Sequence, residues 1–229
     1  MEQLHNGYTL DLCPGAFPLS TDSVALSGFV KLPKNANILD LGSGCGTLGL
    51  LLLSRDENCR VTGIELNEDA HRTALKNAAD NKLNDRLTSI CGDLRTVSTF
   101  IKPGSFPCCV SNPPYFSGGP QSATVPTARR DDLCNIDELM EAAAWVLKFG
   151  GDFYVVHRPE RMAELFAKAA AHSLEPKNLL LLRHKANGPI NLILVHCRKG
   201  AKPGLSICEE SLYNEDGQPT DYHGRLYHT

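Results

Sequence analysis

Short apolar runs that stop at turn or acidic residues alternate with stretches of helical period along most of the chain. Ile38-Leu39-Asp40, Val61 to Glu65, Leu87 to Cys91, Cys108 to Ser111 and Phe153 to Val156 read as buried strands. Between them, Leu48 to Ser54, Glu68 to Asn81 and Ile136 to Leu147 repeat as helices. In the last of these, Leu139, Ala142, Ala143, Val146 and Leu147 make one apolar stripe. Strand alternating with helix predicts an α/β fold, a mostly parallel sheet with helices on both faces, whose ligands sit at the carboxyl ends of the strands. Glu160 to Ala171 reads as a further helix. Leu179 to Leu182 and Asn191 to Cys197, separated by Asn187-Gly188-Pro189, read as a closing antiparallel hairpin. The polar stretch Gly200 to Thr229 shows only a short strand near Ser206 to Cys208, and its tail is expected to be partly mobile.

Composition adds limits rather than detail. With 42% apolar and 21% charged residues in 229, the chain is expected to fold as one globular domain. Its densest apolar run, Leu48 to Leu53, is far shorter than the roughly 20 residues of a membrane span. Glu2, His5 and Asp11 interrupt the start where a secretory leader would be basic and then apolar, so a cytoplasmic location is expected. Nine cysteines, an odd number without any Cys-x-x-Cys, predict free thiols in a reducing compartment and no metal site. A net charge of −3 offers nucleic acid no general attraction, so such a partner would need a local basic patch.

Candidate chemistry follows the strands. Asp40-Leu41-Gly42-Ser43-Gly44-Cys45-Gly46 ends the first core strand in an acid and opens a helix with alternating glycines, which let backbone approach a ligand closely. The run contains Gly44-x-Gly46-x-x-Gly49, the pattern of a dinucleotide fingerprint. Glu65 closes the next strand, where a carboxylate can accept both ribose hydroxyls of an adenosine. An NAD site and an S-adenosylmethionine site both predict that acid. Asp40 separates them, because a carboxylate suits a cationic methionyl end and repels a pyrophosphate. Asp93 ends the third strand, either as acceptor for an adenine amino group or as cap of the following helix. Asn112-Pro113-Pro114-Tyr115, directly after the fourth strand, is the most specific feature of the chain.

Together Asp40 to Gly46, Glu65, Asp93 and Asn112 to Tyr115 resemble the motifs of class I S-adenosylmethionine-dependent methyltransferases that methylate amines. The fuller pattern, with His157-Arg158-Pro159-Glu160-Arg161 after the fifth strand, resembles the bacterial tRNA1(Val) adenine-37 N6-methyltransferase family. That resemblance implies a Rossmann-like, seven-stranded, mostly parallel sheet with a C-terminal antiparallel hairpin, and a front segment, residues 1–37, covering the cofactor. It implies S-adenosylmethionine held by Thr21, Asp22, Asp40, Gly42, Gly44, Gly46, Glu65, Leu66, Asp93, Leu94 and Asn112. Catalysis would fall to Asn112, Pro113, Pro114 and Tyr115, the tyrosine stacking on the base, with no histidine required. The implied partner is the anticodon stem-loop of tRNA. Basic residues offered for it are Arg129-Arg130, Arg158 with Arg161, Arg183 with Lys185, and Arg198-Lys199 with Lys202, expected along one rim. Other readings are a non-catalytic tRNA- or cofactor-binding module, an NAD-dependent dehydrogenase, and N-methylation of ribosomal RNA or of a protein glutamine.

Overall fold

The computed structural model describes residues 2–4, 7–114 and 134–227. Its centre is an eight-stranded sheet in the order β10-β8-β9-β7-β6-β3-β4-β5. The strands are β3 (Asn37–Leu41), β4 (Arg60–Glu65), β5 (Leu87–Cys91), β6 (Phe106–Ser111), β7 (Leu147–His157), β8 (Leu174–Lys185), β9 (Ile190–Lys199) and β10 (Ser206–Tyr213). Only β9 runs against its neighbours, pairing antiparallel with both β7 and β8. Two short strands in front, β1 (Glu2–Gln3) and β2 (Thr9–Leu10), form their own antiparallel ribbon. The sheet therefore has eight strands rather than the expected seven. The extra one is β10, which pairs parallel with β8 from Ser206 to Tyr213, well past the short strand its polar sequence suggested.

Side chains along each buried strand alternate between two cores, as the pleat requires. Ile38, Val61, Cys108, Tyr154 and Leu194 pack on one face with α1 (Thr21–Phe29) and α2 (Thr47–Leu53). Leu39, Ile64, Cys109, Phe153 and Val195 pack on the other with α4 (Ile136–Val146) and α5 (Met162–Ala171). The neighbours Cys108 and Cys109 thus face opposite ways, each fully buried, and burial raises both thiols far above their ordinary range. All nine cysteines are free. Helix α2 is buried all round, from Leu48 to Leu53, which is why its sequence shows no polar stripe.

Caps fix where the helices start. Asn67 accepts hydrogen bonds from the Asp69 and Ala70 amides at the head of α3 (Glu68–Asp80), and Asn135 forms a reciprocal capping box with Glu138 at the head of α4. Helix α1 begins after Ser20, which makes no side-chain cap bond. The C-terminal stretch is more ordered than its composition suggested. After β10 it forms α6 (Asp221–Tyr227), whose Leu226 is buried in the same core as α1. Leu226 Cδ2 fills the space beside Gly28 on α1, 2.4 Å from where a Cβ would stand. Among the described residues no helix is long and apolar enough to cross a membrane.

Candidate active site

The carboxyl ends of β3, β4, β5 and β6 gather the residues singled out in the sequence. After β3 the chain turns through Gly42, Gly44 and Gly46 at φ 76°, 55° and 84°, conformations that disfavour any side chain. A Cβ on Gly42 or Gly44 would meet nothing within 4 Å, so the turn presents bare backbone to open space. Gly46 and Gly49 do a different job. Added Cβ atoms there would lie 3.4 Å from Ala74 and 2.8 Å from Leu87, so these glycines seat α2 against α3 and the sheet.

Glu65, at the end of β4, holds the turn from beneath. One carboxylate oxygen accepts the Gly44 amide N–H at 2.8 Å and the other accepts that of Asn67 at 2.7 Å. The next residue, Leu66, is 47% exposed, an apolar surface beside a carboxylate. Asp40 lies 2% exposed under the turn, and one of its oxygens is buried without a hydrogen bond. Burial, reinforced by the charge of Glu65, pushes its carboxyl up to about 8. Asp93 caps the 3-10 helix Leu94–Thr99 through the Arg95 amide and is paired with the Arg95 guanidinium at 2.6 Å, which holds its carboxyl below the ordinary range. The capping role weighed for it in the sequence is therefore present. Leu94 packs against the core beneath α4.

Asn112 emerges from β6 half-buried, followed by buried Pro113. Its side-chain nitrogen donates to Ser23 Oγ on α1 at 2.9 Å. With that end of the amide committed, the Oδ1 end is turned elsewhere as an acceptor. Ser111 Oγ, one residue earlier, donates to the Leu41 carbonyl at 2.7 Å and locks the β6 end to the β3 end. Thr21 and Asp22 form the first turn of α1, half-buried, so the helix start reaches the same strand ends. Tyr115 lies outside the described residues, as do Arg129 and Arg130.

Three residues escaped the sequence reading. Ser23 looked like one more position in a helix. Asn77, in the middle of α3 and 1% exposed, ties the front segment to the glycine turn. Its amide exchanges hydrogen bonds with the Asp11 backbone at 2.8 and 2.9 Å and also donates to the Cys45 carbonyl at 2.9 Å. Asn81, one turn on, does the same for Thr9 at 2.8 and 2.7 Å. Paired asparagines on a helix face are the one trace of this in the chain.

Comparison with known proteins agrees with this geometry. The profile of the methyltransferase small domain matches residues 22–175. The chain belongs to that family. It is 32% identical over 190 residues to the tRNA1(Val) (adenine(37)-N6)-methyltransferase of Shewanella halifaxensis, covering 81% of this chain and 77% of the relative. It is 29% identical over 183 residues to the enzyme of the same name from Bacteroides fragilis (strain YCH46), covering 79% and 76%. Among solved structures, a predicted O-methyltransferase from Agrobacterium tumefaciens superposes with a TM-score of 0.75 at 19% identity, over 91% of this chain and 96% of that one. A geranyl diphosphate C-methyltransferase from Streptomyces coelicolor, solved with S-adenosyl-L-homocysteine, gives 0.58 at 13% identity, over 77% and 76%. The fold is that of class I S-adenosylmethionine-dependent methyltransferases.

The chain's own site suits that cofactor: bare glycine backbone facing open space, carboxylates at successive strand ends, and a buried acid with one oxygen lacking a hydrogen bond, which a cationic group would satisfy. The basic residues, by contrast, do not share one rim. Arg158, Arg161, Arg183 and Lys185 stand at the carboxyl ends of β7 and β8, with the site. Antiparallel β9 carries Arg198 and Lys199 to the far end of the sheet, where Arg198 pairs with Asp152 and Lys199 donates to the Ala144 and Leu147 carbonyls. Lys202 follows them there. A separate cavity of about 770 Å³, lined by Lys31, Asp152, Tyr154 and His196 among others, opens at that far end.

Proposed function

We propose that the protein transfers a methyl group from S-adenosylmethionine to N6 of adenine in RNA, at adenine 37 of a valine tRNA. The observation that carries this reading is Asn112, held by Ser23 at the end of β6, beside the glycine turn and followed by two prolines. The family membership and the names of the relatives support it.

Gly42 and Gly44 would admit the methionyl part of the cofactor, with Asp40 beneath, Thr21 and Asp22 above, and Gly46 ending the turn. Glu65 would accept the ribose hydroxyls, while Leu66 and Leu94 would flank the adenine, with Asp93 at its edge. The bound cofactor supplies an electrophilic methyl group on a sulfonium. The amine that receives it is a poor nucleophile, because its lone pair is delocalised into the purine. Asn112 Oδ1 and the Pro113 carbonyl would accept its two N–H bonds, drawing the nitrogen toward tetrahedral geometry and aiming the lone pair. Pro113 and Pro114 stiffen that backbone, and Tyr115 would stack on the base.

No strong base is needed, since the nitrogen becomes acidic as the new bond forms and sheds its proton to water. His157, at the end of neighbouring β7, is buried, and that burial pulls it down to about 4, too weak a base for the task. An unstacked anticodon-loop base would enter beside Arg158, Arg161, Arg183 and Lys185. Mass spectrometry of nucleosides and of ribonuclease fragments from purified valine tRNA, incubated with the protein and labelled S-adenosylmethionine, tests the reading. Labelled N6-methyladenosine at position 37 is expected. Tight S-adenosylhomocysteine binding with no labelled adenosine in any tRNA would point to the non-catalytic alternative.

A further inference from the structure

Where the front segment crosses the glycine turn, two thiols meet. The Cys45 thiol donates to Cys13 Sγ across 3.7 Å, and the Cys13 amide N–H donates to Cys45 Sγ at 3.5 Å. Cys45 is the residue between Gly44 and Gly46, inside the turn proposed to hold the cofactor. Cys13 belongs to the segment that Asn77 fastens to that turn. The two differ in access. Cys45 is 3% exposed, and its burial pushes the thiol up to about 11, whereas Cys13 is half-buried. Cys108 and Cys109, though adjacent in the chain, face opposite sides of the sheet and cannot do the same.

We infer that Cys13 and Cys45 are a reversible disulfide-forming site, with a peroxide as oxidant, which controls whether the glycine turn can accept its cofactor. The modification stands on the sulfur geometry alone; its consequence for the cofactor rests on the proposed methyl transfer.

The less buried of the two cysteines, Cys13, reacts first. The Cys13 thiolate attacks one oxygen of hydrogen peroxide, the O–O bond breaks, a sulfenic acid forms, and the departing hydroxide takes up the proton the thiol had shed, leaving as water. The Cys45 sulfur then attacks the sulfenic sulfur. The S–S bond forms, the S–O bond breaks, and the departing hydroxide takes the Cys45 proton as a second water. Two thiols and one peroxide thus give one disulfide and two waters, and a dithiol reductant reverses the change. Bonding must shorten the separation from 3.7 Å to about 2.05 Å. Both sides are anchored, the segment at Asp11 by Asn77 and the turn at Gly44 by Glu65, so the displacement is shared. A turn whose shape depends on three glycines at positive φ then no longer matches its ligand.

The test oxidises the purified full chain with hydrogen peroxide, maps thiols by non-reducing peptide mass spectrometry, and measures S-adenosylhomocysteine affinity by calorimetry before and after dithiothreitol. A Cys13–Cys45 linked peptide, with affinity weakened by about tenfold or more and recovered on reduction, is expected. Cys13→Ser should lose both responses to peroxide and bind like the reduced wild type. Absence of the linked peptide overturns the site, and a linked protein of unchanged affinity overturns its control of the turn. If the reduced wild type itself fails to bind S-adenosylhomocysteine, the methyl-transfer reading falls, and so does the control of the turn, while peptide mapping still decides the disulfide.

Discussion

The Asn112 amide is oriented by one hydrogen bond to a serine on another element. Removing the amide should be far worse than removing its support. Asn112→Ala is expected to lower methyl transfer by about a hundredfold or more, the scale of losing one preorganised polar group in the transition state. Ser23→Ala, which leaves the amide in place but free to rotate, should cost roughly tenfold in kcat. Both should lower S-adenosylhomocysteine affinity, measured by calorimetry, far less than they lower turnover, and a loss of binding as large as the loss of activity would place Asn112 in the cofactor site alone. His157 yields a prediction of another kind. Its folded value of about 4 lies below the ordinary 6.5, so between those values the unfolded chain binds the extra proton. Stability should therefore fall as pH drops from 6.5 to 4, with His157 contributing up to about 3 kcal/mol. His157→Asn keeps an acceptor for the Arg158 amide, which now donates to Nδ1 at 2.8 Å. Urea titrations across that range should show a shallower acid slope in the variant.

Elements here are joined by small residues and buried amides as much as by apolar stripes. Where helix α6 docks on α1, the end of the Leu226 side chain fills the place that a Cβ on residue 28 would take. Gly28→Ala should destabilise the fold by about 1–3 kcal/mol through overpacking, although Ala favours helices. Leu226→Ala should cost a comparable amount through lost burial. The double variant should be less destabilised than the two losses added, because the shortened side chain vacates the space that the new methyl needs. Denaturant midpoints of the four proteins measure this directly, and strict additivity would mean that α6 is not docked on α1.

The whole molecule carries a net charge of −3, so RNA must be drawn by where its cations stand. Reversal of β9 splits the basic residues between two ends of the sheet. Arg158→Glu, at the end bearing the site, should weaken tRNA binding and lower the slope of log affinity against log salt by about 1 or more. Lys202→Glu, at the far end, should leave both nearly unchanged. Filter binding at several salt concentrations checks the pair; equal effects from the two would show that RNA is held by general charge and not by this rim.

Much of the fold was legible in the chain because its signals are local. The central parallel strands β3 and β6 are buried on both faces and so appear as short apolar runs, and the candidate site residues sit where strands stop: Asp40, Glu65, Asp93, Asn112. Order and function at the carboxyl ends follow from that alternation. What stayed hidden depends on partners distant in sequence. A mid-helix asparagine at position 77, a serine at position 23 and a glycine at position 28 show nothing unusual locally, and their roles arise from Cys45, Asn112 and Leu226 brought beside them by folding. β10 was hidden for the same reason. As an edge strand it is half in water and can be polar, so only the free edge of β8 makes it a strand. Strand direction decided the placing of charge: residues near one another in sequence on β8 and β9 end on opposite sides of the protein, because an antiparallel hairpin reverses the chain.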